Sequence, residues 1–346
     1  MSQKRIRDYG ITIGTLPPGP RNKLSDVAGV TVGHSTIETG RCHTGVTVVL
    51  PAQDNLFLNK LTAACFVHNG FGKSCGLMQV EELGSLETPI ALTNTLNVGL
   101  VHDALVQYTL DRCRSEGLSP RSVNPVVGEC NDGRLSDIAL RPVRQRHVLE
   151  AIQSAGPEFL EGSVGAGTGT ICYGLKGGIG SASRLVAIGG KTYTLGVLVQ
   201  SNYGSTGDLT CGGKPLGQAL LQKIAPTAVD AGSIMMVVGT DLPLTARQLR
   251  RVIRRCGVGL ARLGSYMGHG SGEVMIGFTT AGRIPHAGPE TRTLTALRED
   301  LLDLPFRAAA EATEEAVLNS MVTAKTTVGC DGNTICSITA FPEIFP

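Results

Sequence analysis

Glycine constrains this chain more than any other residue type: 45 of its 346 positions are Gly, nearly twice the usual share of about 7%. Ordering glycine costs the most backbone entropy, so a folded chain keeps it where backbones approach closely or turn through positive φ. The densest run, GSVGAGTGTICYGLKGGIG over Gly162–Gly180, invites comparison with a phosphate cradle. Neither GxGxxG nor GxxxxGKS/T occurs: GAGTGT lacks the last Gly of the first pattern and NGFGKS the first Gly of the second. Tight turns and close backbone packing account for the run.

The remaining composition narrows the class. Charged residues make up 17% of the chain and hydrophobic ones 42%, which at this length supports a large core and excludes disorder or a soluble coiled coil. The net charge is +2, and Lys and Arg are scattered except over Arg247–Arg255, so no partner of nucleic acid or anionic membrane is expected. The opening MSQKRIRDYG has cations but no apolar region behind them, and nowhere do 18 apolar residues run together; the chain reads as soluble and cytoplasmic. Ten cysteines lie apart without a CxxC and are expected to be reduced and mostly buried. Seven histidines show no HExxH or other ligand spacing, so no metal site is expected. Without a repeat, a low-complexity tract or an interdomain linker, residues 1–346 read as one domain.

Short β-branched runs bounded by Gly, Asn or Asp predict strands at Val46–Leu50, Ala63–Val67, Val186–Ile188, Tyr193–Gln200, Ser233–Gly239, Glu273–Thr279 and Ile335–Ala340. Helical periodicity marks Thr95–Arg114, a segment capped by Thr245 and running to Gly264, and a third starting at Pro305 and passing Leu318. Alternating elements of both kinds imply mixed α/β layers.

Two serines are candidate nucleophiles. Ser74 lies in Gly72-Lys73-Ser74-Cys75-Gly76, a GxSxG between an apolar run and a possible helix from Leu77, as a nucleophile elbow would. In so glycine-rich a chain the pattern arises readily by chance, no oxyanion motif precedes it, and a Gly-rich turn is the plainer reading. Ser265 lies in RLGSYMGHGSGE (Arg262–Glu273), between the Thr245 helix and the Glu273 strand. A serine hydroxyl needs a base, and cutting Gly264–Ser265 would free an α-amino group on the same residue, with an unperturbed pKa of about 7.7–8.0. Gly264 would tolerate the unusual φ/ψ that brings the hydroxyl to the carbonyl behind it. Read locally, the same segment is also an ordinary loop before a strand.

Five ordered blocks resolve the choice: NKLSDVAGVTVGH (Asn22–His34), VGECNDG (Val127–Gly133), GAGTG (Gly165–Gly169), VLVQSNYG (Val197–Gly204) and Gly264–Gly272. Through them the chain resembles the DmpA/BapA family of self-processing L-aminopeptidase/D-esterases and β-peptidyl aminopeptidases, from about Arg7 to Thr327. The resemblance implies a four-layer α/β/β/α sandwich similar to N-terminal-nucleophile hydrolases. It also implies self-cleavage between Gly264 and Ser265 into pieces 1–264 and 265–346, and assembly as a homo-oligomer, a tetramer of such pairs. The implied activity is removal of N-terminal residues from short peptides, amino-acid amides or esters, with no metal or organic cofactor.

By the same resemblance Ser265 is the nucleophile, and Asn202 contributes its side-chain amide to the oxyanion hole. Glu129 holds the substrate ammonium. Thr313 and Glu315 stand for a supporting S-x-E pair beside the nucleophile, although two residues on a helix are about 200° apart. Asn131 replaces the aromatic residue usual before Asp-Gly, so an altered side-chain range of substrates is expected. His269 lies four residues after Ser265, but a Ser–His pair would need a third orienting group that spacing does not identify, and Asp208 reads as the end of a loop near Asn202. An ornithine acetyltransferase-like acyl transferase shares the fold and self-cleavage but typically has Thr at the nucleophile. An uncleaved binding protein using the Gly-rich pocket is the third reading.

Overall fold

Apolar residues alternating with period 2 line up as two stacked sheets in the computed structural model, which describes residues 3–226 and 229–344. The strands are β1 (Thr31–Thr39), β2 (Cys42–Leu50), β3 (Asn59–Gly70), β4 (Ser85–Leu86), β5 (Ile90–Asn94), β6 (Val126–Cys130), β7 (Gly178–Ile188), β8 (Lys191–Asn202), β9 (Gly232–Thr240) and β10 (Ser271–Pro285). The helices used below are α1 (Leu77–Leu83), α2 (Val98–Ser115), α3 (Gln145–Gln153), α4 (Ala246–Ile253), α5 (Cys256–Arg262) and α6 (Asp303–Val322). One sheet has the order β1-β2-β5-β6 and the other β4-β3-β10-β9-β8-β7. In the second, only β9 and β10 pair in parallel, and α4 and α5 form the crossover that such a pair requires.

Side-chain direction sorts the core into three layers. On β2, Val46 and Val48 pack with α2 and α3, while Val49 faces the other sheet. On β8, Leu195, Val197 and Val199 pack under α4, α5 and α6, while Leu198 points back between the sheets. The result is the α/β/β/α sandwich expected from the family resemblance. Glycine lets helix and sheet approach closely: a Cβ on Gly180 of β7 would lie 2.0 Å from the Ala316 carbonyl oxygen, so α6 lies directly on the strand's backbone.

Helix α6 is buried on nearly every side, and its polar residues are consequently paired. Arg184, wholly buried on β7, reaches Glu315 Oε2 at 2.7 Å and Glu311 Oε2 at 3.3 Å. Arg7 donates to both Glu315 oxygens at 2.7 and 2.8 Å, and Asn22 donates to Oε1. Burial alone would raise the Glu315 carboxyl, but the Arg7 hydrogen bonds and the Arg184 charge outweigh it and hold it below its ordinary value.

Six of the seven expected strands are present; four extend further at both ends, and those expected at Val46–Leu50 and Val186–Ile188 extend only at their N-terminal ends. The segment Ile335–Ala340 is different: only Thr334–Ile335 pairs, with Thr327–Val328, and a 3-10 turn follows at Ile338–Ala340. There the Ser337 side chain accepts from Thr339 N–H, diverting the backbone from a ladder. The helix expected from Thr245 to Gly264 is two helices, split at Arg254–Arg255. The second turns Gly259 against the backbone of α6, where a Cβ would meet the Ala310 carbonyl oxygen at 2.6 Å.

Glu315→Gln should lower the unfolding free energy by about 3 kcal/mol, because partly buried Arg7 loses its counter-charge and wholly buried Arg184 keeps only Glu311. The folded carboxyl binds its proton less tightly than the unfolded one, whose pKa is about 4.3. Its contribution is therefore present above that pH and lost as the pH falls through the lower folded value. Urea unfolding should show the variant converging on wild type at acid pH; equal stability of the two at pH 7 would contradict the pairing.

Candidate active site

The end of α5 fixes Ser265. Gly264 N–H bonds to the Ala261 carbonyl at 3.0 Å and Ser265 N–H to the Leu260 carbonyl at 3.2 Å, the two hydrogen bonds of a Schellman motif. Gly264 takes the left-handed position with φ +95°, and a Cβ there would lie 1.8 Å from the Asp208 carbonyl oxygen. Only glycine fits, and the residue after it is held rigidly by the helix terminus. The expectation that Gly264 has an unusual backbone conformation therefore has a local cause.

The Ser265 side chain is buried and donates to Asp230 Oδ2 at 2.8 Å. Met267 N–H is shared between the same carboxylate oxygen and Ser265 Oγ, 3.1 Å from each. Asp230 Oδ1 accepts from Gly204 N–H at 3.0 Å, and the Asp230 N–H bonds to the Tyr266 hydroxyl at 3.2 Å. Asp230, which immediately precedes the β9 region, thus ties the loop after α5 to the segment following β8. Sequence reading missed it, since a lone Asp in a non-periodic stretch carries no local signal.

Asn202 ends β8 beside this bridge. Its Oδ1 accepts from Ile171 N–H at 3.0 Å, which turns the amide, and Nδ2 makes no hydrogen bond among the described residues. A cavity of about 290 Å³ opens here, lined in part by Asn202, Gly204, Ala231, Gly232, Asn131 and Ile171. Beneath it Lys176 is wholly buried, its Nζ donating to the carbonyls of Gly167, Thr170 and Gly177 at 2.8–2.9 Å. Burial pulls this lysine down to about 7. By closing the glycine-rich loop, the cage fixes Ile171 and through it Asn202. Among the described residues no cluster of His, Cys, Asp and Glu is arranged to hold a metal.

Asn131 lines the same cavity and accepts from Gly133 N–H at 2.9 Å, an Asx turn. Glu129, on β6, is buried with Oε1 accepting from Lys73 N–H at 2.8 Å and Oε2 from the Thr95 hydroxyl. Neighbouring Asp132 accepts twice from Asn94 at 3.1 Å, and burial raises it to about 6.

Thr313 and Glu315, where the resemblance places a supporting pair, are not hydrogen-bonded to each other among the described residues. Both lie in the middle of α6: the Thr313 hydroxyl bonds to the Ala309 carbonyl at 2.7 Å, and Glu315 is committed to Arg7, Arg184 and Asn22. Neither hydrogen-bonds to Ser265, because two residues along a helix point to different sides. Ser74 faces the Met235 sulfur at 3.5 Å and has no basic hydrogen-bond partner among the described residues. The His269 ring lies 6.4 Å from that of Phe71, and Asp208 abuts Gly264 through its backbone.

On β10, Glu273 is a second acid that sequence reading took only as the start of a strand. Ser271 donates to its Oε1, while buried Oε2 has no partner among the described residues. Burial, and after it the charge of Asp230, pushes the carboxyl up to about 7 against the Ser271 hydrogen bond.

The sequence profile of peptidase family S58 matches residues 22–335. The β-peptidyl aminopeptidase BapA of Sphingosinicella microcystinivorans is 38% identical over 357 aligned positions, covering 96% of this chain and 88% of that protein. The PH0078 protein of Pyrococcus horikoshii OT3 superposes with a TM-score of 0.94 at 45% identity, covering 99% of this chain and 98% of the other. The L-aminopeptidase D-Ala-esterase/amidase of Ochrobactrum anthropi, described as a prototype serine aminopeptidase and a variant of the Ntn hydrolase fold, superposes with a TM-score of 0.90 at 35% identity over 96% of this chain and 95% of its own. These matches agree with the family read from the five sequence blocks.

Because Glu273 holds its proton more tightly folded than unfolded, its contribution is fully present below about pH 4.3 and lost as the pH rises through about 7. Urea midpoints of Glu273→Gln between pH 4.5 and 8 should therefore decline less with pH than those of wild type. An unchanged slope would contradict the shift.

Proposed function

The chain belongs to peptidase family S58, and from that premise we propose that it is a self-processing aminopeptidase in which Ser265 is both the cleavage-site residue and the nucleophile. One observation carries the reading: a buried serine hydroxyl 2.8 Å from a carboxylate, directly after a left-handed Gly264 and beside the cavity that Asn202 lines.

Cleavage of Gly264–Ser265 yields pieces 1–264 and 265–346 and frees the Ser265 α-amine. That amine takes the hydroxyl proton as Oγ attacks the carbonyl of the substrate's first residue, and Asn202 Nδ2 donates to the developing oxyanion. The leaving amine departs protonated, and water hydrolyses the ester on Ser265. Glu129, whose carboxylate is oriented by Lys73 N–H and the Thr95 hydroxyl, supplies the negative charge that selects a free substrate ammonium. Asn131 forms part of the wall against the first side chain. A cavity of about 290 Å³ is at the small end for ligand sites, in keeping with short peptides, amino-acid amides and esters.

Intact-mass spectrometry and amino-acid-amide hydrolysis test the proposal together. Wild type should give two fragments, the smaller beginning at Ser265, and should hydrolyse the amide. Ser265→Ala should give one chain of 36.2 kDa without activity. Equal activity in Ser265→Ala, or an active wild type that stays in one piece, would overturn the reading.

A further inference from the structure

Before cleavage, Ser265 has no α-amine to act as its base. Its nitrogen is a peptide amide that donates to the Leu260 carbonyl. We propose that the carboxylate of Asp230 is the base that activates Ser265 for cutting Gly264–Ser265, an assignment that rests on the self-processing reading above.

Geometry supports the assignment. Among the described residues the Ser265 hydroxyl donates only to Asp230 Oδ2, at 2.8 Å, inside the reach required of a general base. Asp230 is buried, and its other oxygen is fixed by Gly204 N–H, so the carboxylate cannot swing to solvent without breaking that bond. Met267 N–H, bonded to both oxygens of the Ser265–Asp230 pair, holds their separation. Met267 itself has φ +55°, a left-handed conformation that a non-glycine residue keeps only when its surroundings impose it. None of the other candidate groups hydrogen-bonds to Ser265 among the described residues: Glu273 accepts from Ser271 through Oε1, Glu315 is paired with Arg7 and Arg184, and Thr313 bonds to its own helix.

The step balances without a co-reactant other than water. The Oγ proton passes to Asp230 Oδ2 as Oγ bonds to the Gly264 carbonyl carbon, closing a five-membered ring. Asp230 then returns the proton to the Ser265 nitrogen as the C–N bond breaks, leaving Gly264 esterified to Oγ and a free amine. Asp230 is a carboxylate again at that point; water then adds to the ester, one of its protons restoring the Ser265 hydroxyl and the other passing to the new amine as the Gly264 carboxylate is released. Once formed, the α-amine takes over as the base for substrate turnover, so Asp230 acts in maturation.

The test follows cleavage of freshly synthesised full-length chain by intact mass over time. General-base loss typically costs about 10²–10⁴ in rate. Asp230→Asn should therefore cleave at least about 100-fold more slowly than wild type while keeping its near-UV circular dichroism. Asp230→Ala, which leaves space beside the cavity, should be accelerated by added formate, a response that a purely structural role would not produce. Asp230→Asn cleaving at the wild-type rate, or a folded Asp230→Ala indifferent to formate, would overturn the assignment while self-processing stands. A wild type that never cleaves would instead remove the reading beneath it, and the assignment with it.

Discussion

The hydrogen bond from Ser265 to Asp230 joins two parts of the chain that the fold otherwise delivers separately. Ser265 arrives at the end of α5, inside the crossover between the parallel strands β9 and β10. Asp230 arrives just before β9 and is held to Gly204, two residues beyond Asn202. Without this contact the loop bearing Ser265 and the segment bearing Asn202 would lie beside one cavity with no common reference. With it, the hydroxyl, the amide nitrogen and the cavity wall are fixed relative to one another, which is the preorganisation that acyl transfer requires.

Backbone proximity makes that arrangement possible. Gly264 against Asp208 and Gly180 against Ala316 are contacts that a single Cβ would break, and they explain why a chain with this fold spends so much of its composition on glycine. Charge is handled in two ways. Around α6, acids are buried against guanidinium groups and stabilise the packing of helix on sheet. Around the cavity, Glu273, Asp132 and Lys176 are buried without a full counter-charge and titrate nearer neutrality, a pattern typical of sites where protons move.

Sequence alone made much of this legible. The period-2 runs marked the central strands, and the five blocks pointed to the family and the sandwich. Gly264 was readable because a helix terminus and a positive φ both demand glycine at one position. Asp230, Glu273 and Lys176 were not readable, because their significance lies in contacts between segments far apart in the chain. Thr313 and Glu315 were legible only as a spacing; where their side chains go depends on the helix that carries them, which turns one toward α5 and the other toward Arg184. Ile335–Ala340 has strand composition, yet Ser337 supplies a local hydrogen bond that ends the ladder.

The central claim is that one residue, Ser265, both matures the protein and carries the acyl group during turnover. Intact-mass spectrometry of protein quenched in acid while turning over a slowly hydrolysed amino-acid ester addresses it directly. The account predicts a single acyl increment on the 265–346 piece, mapping to Ser265 in peptide digests. An acyl group on the 1–264 piece, at Ser74 or elsewhere, would contradict it.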